Sequence, residues 1–322
     1  MIVVWRITAR CNLGCPFCAY DRNLTFQRAE SEPDAVLRFA EILAEFQANS
    51  GQLVMVSWLG GEPLLWKPIT RLSAVMSRDL RLRISATTNG TTLQSAATLR
   101  LIADHFDELT VSVDGPQAFH DRIRGWPGGF ERLRAGIARL REMSADRPRR
   151  LRLRVNTVLM SHNLRLFAEL CEELLGWDID EITFNQLGGN DRPEFYRQHR
   201  LGVAEVEQLA ELLPPLRDKL QAGGVRLAGG MEYLGRLRAS AEGRGLPVEN
   251  CQPGRKFLFI DEYGRIGPCS FTIADYGLPI AAIKSAGELA ALSECFQSEV
   301  ARRRSRWCDD CPSTQVFDKF VA

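Results

Sequence analysis

Three cysteines near the start of the chain form the pattern most able to do chemistry, Cys11-Asn-Leu-Gly-Cys15-Pro-Phe-Cys18. They follow an apolar, strand-like run and lie within eight residues. A loop this short can bind three corners of a cubic [4Fe–4S] cluster, whose usual ligands are cysteine thiolates, and leaves one iron open. An open iron can bind a substrate or cofactor, so the spacing predicts a reactive site. The alternative is a zinc knuckle, which would need a fourth ligand from elsewhere.

A second motif, Gly60-Gly61-Glu62-Pro63, follows the second predicted strand. Two glycines allow the backbone to approach a ligand closely, and a proline can begin the next helix. As a lone tetrapeptide this motif would be weak. It gains weight because it lies about 45 residues beyond the cysteines, at the end of a neighbouring strand.

Together the two motifs resemble the signature of the radical S-adenosylmethionine (radical SAM) enzymes, including the aromatic Phe17 directly before the third cysteine. The resemblance implies that Cys11, Cys15 and Cys18 hold a reducible [4Fe–4S] cluster. It also implies that the unique iron chelates SAM and that Gly60–Pro63 bind the amino group of SAM. One electron would then cleave SAM to methionine and a 5′-deoxyadenosyl radical.

The composition limits which other classes of protein the chain could belong to. The 322 residues are 45% apolar and 25% charged, with a net charge of +1, which is ordinary for a globular protein and predicts neither a nucleic-acid nor a membrane partner. The Arg302–Arg304 run is interpreted as a solvated helix face. Nine cysteines without a signal peptide indicate metal binding or catalysis in a reducing compartment, so we expect a cytoplasmic protein.

The elements that must position the motifs are strands alternating with amphipathic helices through about the first 190 residues. Six such units predict an α/β fold, a partial (β/α)6 TIM-like barrel whose ligands gather at the carboxyl ends of the strands. We assign residues 1–187 to this barrel. Residues 188–240 are expected to be a helical, substrate-facing linker interrupted at Pro214-Pro215, and residues 241–322 a small α+β domain.

Polar residues at the later strand ends are further candidates. By the resemblance, Ser112 and the segment 120–124 lie near SAM or substrate. A guanidinium group would suit the SAM carboxylate, and of Arg122 and Arg124 we take Arg124.

The next two strands carry amides in apolar surroundings. Asn156 is a candidate for contact with adenosine, and Asn185 and Gln186 are candidates for contact with substrate. Each is equally compatible with a structural hydrogen-bonding role.

Four more cysteines form a two-plus-two array near the C-terminus. Cys251 and Cys269 flank a hairpin-like segment with its turn at Gly264, and Cys308 and Cys311 follow. Zinc would make this a structural ribbon, whereas iron and sulfide would make it a second cluster. The pattern resembles the shortened SPASM, or twitch, extension of radical SAM enzymes, which implies one auxiliary [4Fe–4S] cluster. No cysteine follows Cys311, so a second auxiliary cluster is not expected.

Two cysteines remain outside these sets. Cys171 fits the apolar face of a helix, and Cys295 could be core, an alternative ligand or a hydrogen-atom donor. Some twitch enzymes complete an epimerisation by donating hydrogen from a cysteine, so Cys295, Cys171 and even Cys251 are candidates for that catalytic role.

The sequence therefore predicts a radical SAM enzyme that abstracts hydrogen from an unactivated C–H bond. Peptide maturases commonly carry an N-terminal leader-binding domain, whereas this chain enters its first strand at Ile2. We therefore expect a polar small-molecule substrate of the amino-sugar or aminocyclitol type, epimerised or oxidised by two electrons, and a flavodoxin- or ferredoxin-type electron donor. The alternatives are a maturase of ribosomal peptides with a separate leader-binding partner and, outside enzymes, a zinc-ribbon binding module.

Overall fold

Parallel strands arranged in chain order form the wall of an open, partial barrel. The computed structural model describes residues 1–249, 251–317 and 319. The barrel strands are β1 (Ile2–Thr8), β2 (Met55–Gly60), β3 (Arg83–Thr88), β4 (Glu108–Ser112), β5 (Arg152–Leu159), β6 (Glu181–Gln186) and the short β7 (Arg226–Leu227). The predicted α/β class and partial barrel are confirmed, with β7 as an added strand.

Helices connect these strands and cover one face of the sheet. They are α1 (Pro33–Ser50), α2 (Ile69–Arg78), α3 (Ala96–His105), α4 (Gln117–Arg124), α5 (Gly129–Met143), α6 (Phe167–Leu174), α7 (Pro193–His199), α8 (Val203–Ala222), α9 (Met231–Glu242), α10 (Ile273–Tyr276) and α11 (Ala286–Arg302). Local sequence sets their ends. The Glu32 carboxylate accepts hydrogen bonds from the first turn of α1, and Gly51 ends that helix with φ +68°.

Alternation along the strands separates a helix-facing side from an interior side. On β5, Val155 and Thr157 are buried, whereas Arg154 and Asn156, which alternate with them, are half-buried. Val155 belongs to the hydrophobic core that also contains Phe167 of α6. Since neighbouring strand residues point to opposite faces, Arg154 and Asn156 face the barrel interior, which is polar.

The C-terminal strands continue the same sheet beyond β1. Strand β8 (Phe257–Ile260) pairs in parallel with β1, and β9 (Arg265–Gly267) and β10 (Leu278–Pro279) extend the edge in antiparallel fashion. Gly264 forms the predicted turn between β8 and β9, with φ +74°. The segment between Cys251 and Cys269 is therefore hydrogen-bonded to β1, the strand that leads into the three-cysteine loop. Ala322, at the end of the predicted C-terminal region, lies outside the described residues.

The linker between β6 and β8 differs from its prediction. Helix α8 runs through Pro214-Pro215 without interruption. Its buried leucines at positions 209, 213, 216 and 220 pack into the main core, and this burial offsets the hydrogen bonds that the prolines cannot donate. The linker also contributes to the core through α9, where Tyr233 is completely buried.

The helices in the described part of the chain include none with the length and apolar character needed to span a membrane.

Candidate active site

The three-cysteine loop leaves the carboxyl end of β1 and is held in place by its own backbone. The Cys18 N–H donates to the Cys15 carbonyl at 3.0 Å. The Arg28 guanidinium donates to four loop carbonyls, those of Ala9, Tyr20, Asp21 and Leu24. The motif alone did not reveal Arg28, although it fixes the loop around the sulfur atoms.

Each of the three sulfur atoms accepts a hydrogen bond from an N–H group. Asn89 Nδ2 lies 3.7 Å from Cys11 Sγ, Arg124 Nη1 lies 3.9 Å from Cys15 Sγ, and the Tyr20 amide lies 3.4 Å from Cys18 Sγ. Donors of this kind stabilise thiolates and tune the clusters that thiolates bind. The donor set therefore fits a cluster with three cysteine ligands.

The raised pKa values of the Cys11, Cys15 and Cys18 thiols also fit a site that binds a positively charged ligand. Burial raises the pKa of all three, that of Cys15 to about 12; the charge of Glu62 adds to the increase at Cys11, and the neighbouring cysteines add to it at Cys15 and Cys18. Cysteines must be deprotonated to bind metal. Iron ions would supply the positive charge that three buried thiolates in one loop require.

The two glycines at the end of β2 allow close packing against the entrance to the cysteine loop. A Cβ atom on Gly61 would lie 2.3 Å from the Arg10 carbonyl oxygen, and one on Gly60 would lie 2.4 Å from that of Thr8. The Gly61 amide also donates to the Thr8 carbonyl at 2.8 Å. These glycines therefore set the position of the cysteine loop, in addition to the ligand approach that the sequence suggested.

The Glu62 carboxylate connects two strand ends. It is completely buried and accepts hydrogen bonds from Thr88 Oγ1 at 2.7 Å, the Asn89 amide at 2.7 Å and the Leu64 amide at 3.1 Å. Burial raises the pKa of Glu62 to about 7, and these three donors oppose the increase. Glu62 belongs to the motif expected to bind SAM, and in the structure its oxygens bind the start of the turn that carries Asn89.

Asn89 links this carboxylate to the cluster loop, which gives a testable consequence. We expect Asn89→Leu to lower the midpoint potential of the reconstituted cluster, because an N–H···S hydrogen bond favours the more negative, reduced state. A hydrogen bond worth about 1 kcal/mol corresponds to about 40 mV for one electron. EPR-monitored redox titration measures this shift. Asn49→Leu, on the exposed end of α1, is the control, and equal potentials in both variants would contradict the prediction.

Arg124 is the arginine that the structure brings to the cysteine loop. It is buried, its Nε donates to Asp114 Oδ2 at 2.6 Å, and its guanidinium lies 5.3 Å from the centre of the Phe17 ring. Arg122 instead lies over the ring of Phe119. Of the two alternatives left open by the sequence, Arg124 is thus the one beside the cluster site.

Helix α7 and the residue before it pack against the three-cysteine loop. The ring of Phe195 lies 6.3 Å from that of Phe17, and Arg192, directly before α7, forms an ion pair with Asp21 at 3.3 Å. The linker that was expected to face the substrate therefore contacts the cysteine loop.

Of the three strand-end amides, the structure brings Asn156 and Asn185 together but not Gln186. Ser112 is in register with Asn156, and Asn156 Oδ1 accepts from Asn185 Nδ2 at 3.3 Å. Gln186 points to the opposite face, where its Nε2 donates to Ser240 Oγ of α9 at 3.0 Å. Because successive side chains of a strand point to opposite faces, the sequence already implied that Asn185 and Gln186 cannot both face the barrel interior.

The four C-terminal cysteines line one cavity of about 650 Å³. Burial raises the pKa of Cys251, Cys308 and Cys311, that of Cys311 to about 11, and each of these thiols also feels the charge of Cys269. The cavity has room for a cluster, so the four residues fit a second [4Fe–4S] site. Across residues 1–249, 251–317 and 319, no three His, Cys, Asp or Glu side chains converge closely enough to form a single-ion site.

The two remaining cysteines lie away from the three-cysteine loop. Cys171 is buried in α6 within the main core, where burial raises the pKa of its thiol. Cys295 is exposed on α11, a helix that packs against α1 outside the barrel. The structure brings neither residue to the interior amides, so the suggested role as hydrogen-atom donor gains no geometric support.

Comparisons with known proteins agree with this site. The profile described as the radical SAM superfamily matches residues 5–147. The chain is 26% identical over 295 residues to an AdoMet-dependent heme synthase of Nitratidesulfovibrio vulgaris, covering 86% of this chain and 75% of that protein. It is 24% identical over 331 residues to a PqqA peptide cyclase of Rhodopseudomonas palustris, covering 98% and 80%.

The fold is shared with SuiB of Streptococcus suis in a crystal structure bound to the precursor peptide SuiA. The TM-score is 0.68 at 16% identity, over 98% of this chain and 70% of SuiB. SAM and [4Fe–4S] clusters are the cofactors of this group. Residues 5–147 thus form a radical SAM domain, and the similar proteins and structures are SPASM/twitch-type radical SAM enzymes.

Proposed function

We propose that this radical SAM enzyme modifies a ribosomally made peptide by abstracting hydrogen from one of its C–H bonds. The observation that carries the radical chemistry is the set of three cysteine sulfurs, each facing an N–H donor, beside the two-glycine turn. The peptide substrate is supported by similarity to a PqqA peptide cyclase over 98% of the chain. The fold shared with SuiB is consistent with it.

This proposal replaces the amino-sugar substrate expected from the sequence. The relatives that cover most of the chain are named for heme synthesis and peptide cyclisation, and their names do not support epimerisation or dehydrogenation of a sugar. That expectation relied on the position of the first strand in the chain, which does not bear on whether the substrate is a peptide.

Named residues would hold the cofactors. Cys11, Cys15 and Cys18 would bind the first cluster, which when bound together with SAM supplies a 5′-deoxyadenosyl radical. Arg124, fixed by Asp114, would hold the SAM carboxylate, and Ser112 and Asn156 would face SAM from the interior. The barrel wall and Phe195 of α7 would exclude water from the radical.

The regions keep the roles given to them by the sequence. We propose residues 1–187 as the SAM-binding barrel, 188–240 as the substrate-facing segment and 241–322 as the auxiliary-cluster region. The ligands of the auxiliary cluster would be the cysteines that line the 650 Å³ cavity, namely Cys251, Cys269, Cys308 and Cys311. The reducing cytoplasm and a flavodoxin- or ferredoxin-type donor would keep both clusters functional.

A tetrapyrrole is the second candidate substrate. Relatives of the chain include AdoMet-dependent heme synthases, an Fe-coproporphyrin III synthase and a pre-heme d1 synthase.

Stimulation of SAM cleavage distinguishes the two candidates. We expect the reconstituted, dithionite-reduced enzyme to form 5′-deoxyadenosine faster when it is given a precursor peptide, with PqqA and SuiA as the first probes, and mass spectrometry should show that the peptide has lost hydrogen. Fe-coproporphyrin III is the parallel arm. Stimulation and conversion of the tetrapyrrole alone would favour the second candidate, and 5′-deoxyadenosine formation in neither arm would contradict radical SAM activity.

A further inference from the structure

His120 is a completely buried histidine of α4. Its Nδ1 accepts a hydrogen bond from the Asp114 amide at 3.3 Å. Its Nε2 is buried and has no hydrogen-bond partner among residues 1–249, 251–317 and 319. Burial lowers the pKa of His120 to about 4, and the charge of Arg124 adds to the decrease while Asp114 and Asp121 oppose it. At neutral pH the ring is therefore uncharged, with its proton on Nε2 and Nδ1 free to accept.

Apolar packing alone does not account for a histidine at this position. The imidazole packs edge-on against Phe130, with 6.1 Å between the ring centres. A leucine could fill such a site without burying an unpaired N–H group, which costs free energy. Within the described part of the chain, the hydrogen bond to Asp114 is the polar interaction of His120 that offsets this cost.

Asp114, the partner of His120, is itself held at every polar group. Its Oδ2 accepts from Arg124 Nε at 2.6 Å, and its Oδ1 accepts from the Val158 amide at 2.9 Å. Its carbonyl accepts from Asn163 Nδ2 at 2.7 Å. Since Asp114 is only 1% exposed, its amide would lack a partner without His120.

His120 and Arg124 bind the same residue from one helix. They are four positions apart on α4, so their side chains share a face of the helix. His120 binds the backbone of Asp114 and Arg124 binds its carboxylate. Arg124 Nη1 in turn lies 3.9 Å from Cys15 Sγ. A shift of Asp114 would therefore redirect the guanidinium group that faces the cysteine loop.

We propose that His120 is a positioning residue, which accepts the Asp114 amide and thereby holds the Asp114–Arg124 ion pair in the geometry that binds the SAM carboxylate. This inference rests on the proposed function only in assigning Arg124 to that carboxylate. His120 acts through Asp114 and Arg124 rather than on SAM itself. It therefore sets the affinity for SAM more than the rate of SAM cleavage.

Two substitutions separate the hydrogen bond from the packing. In His120→Asn the amide Oδ1 takes the place of Nδ1 and can accept the Asp114 amide, whereas His120→Leu has a similar size and no acceptor. On the reconstituted, oxidised holoenzyme, calorimetry should give a Kd for SAM on the order of tenfold higher in His120→Leu, or about 1.4 kcal/mol. His120→Asn should recover most of this affinity. At saturating SAM, both reduced variants should form 5′-deoxyadenosine at nearly the wild-type rate.

Hydrogen exchange provides a second readout, which does not depend on SAM. The Asp114 amide should exchange faster in His120→Leu than in the wild type and should stay protected in His120→Asn, as measured by mass spectrometry of the peptide that contains it. His105→Leu is the matched control, because His105 is also buried and its Nδ1 lies 2.9 Å from Ser77 Oγ, between α3 and α2. This control should leave the Kd for SAM and the exchange of the Asp114 amide unchanged.

A wild-type Kd for SAM in His120→Leu would overturn the proposal. Equal weakening in His120→Leu and His120→Asn would also overturn it, because the ring rather than the hydrogen bond would then be responsible. If His120→Leu does not fold, His120→Gln takes its place, since the glutamine amide reaches the position of Nε2 rather than that of Nδ1, and the same outcomes apply. Failure of the wild type to form 5′-deoxyadenosine would refute the proposed function, whereas SAM binding and hydrogen exchange would still decide the role of His120.

Discussion

Cys15→Ala should abolish 5′-deoxyadenosine formation, with a decrease on the order of a hundredfold or more relative to the wild type. Cys15 is the most buried thiol of the first loop, 4% exposed, and its sulfur faces the Arg124 guanidinium. Loss of groups that only support metal ligands costs about 10- to 100-fold in affinity or activity, and loss of a ligand itself should cost more. Liquid chromatography of dithionite-reduced reactions with SAM measures this product directly.

Iron analysis and a matched cysteine make the interpretation specific. The variant should contain about four fewer irons per chain, because two ligands do not hold the cluster in this loop. Cys295→Ala is the control, since Cys295 is exposed on α11 and should leave both product and iron unchanged. Wild-type SAM cleavage by Cys15→Ala would rule out the assignment of the first cluster.

Local patterns in the sequence were enough to predict the cysteine loop and the barrel. Cys11, Cys15 and Cys18 are neighbours along the chain, so their proximity does not depend on tertiary structure. Strand and helix periodicities likewise repeat within short windows, and the parallel order of β1–β6 follows from them. The turn at Gly264 was predictable for the same reason, since a glycine between two strand-like runs favours a hairpin.

Contacts between distant residues were not predictable. Asn89 reaches Cys11 across 78 positions, and Lys319 reaches Asn156 across 163. No window of sequence contains both partners. The role of Glu62 was also hidden, because its carboxylate is used by the end of the next strand rather than by its own motif.

Packing also overrode one local rule. Two adjacent prolines predicted a break, yet α8 is continuous because Leu213 and Leu216, on either side of them, are buried. Substrate class lay beyond the sequence for a different reason, since the position of the first strand says nothing about how a leader peptide would be bound.

Cys308→Ala should remove the auxiliary cluster and leave the first cluster in place. Cys308 lines the 650 Å³ cavity with Cys251, Cys269 and Cys311, next to the start of β8. We expect iron to fall from about eight to about four per chain, while SAM is still cleaved in the absence of substrate. Conversion of the substrate should stop. The cavity lies next to β8, and β8 pairs with β1, the strand that leads into the first cysteine loop.

The metal content of this variant also separates the two interpretations of the C-terminal cysteines. If they bind iron and sulfide, the absorbance near 400 nm should fall by about half and zinc should be absent before and after the change. If they form a zinc ribbon, the wild type should contain about four irons and one zinc, and the variant should lose only the zinc. Because Cys308→Ala leaves Cys11, Cys15 and Cys18 unchanged, retained SAM cleavage in either case would assign radical chemistry to the first loop alone. Iron and zinc contents equal to those of the wild type would remove Cys308 from the metal site.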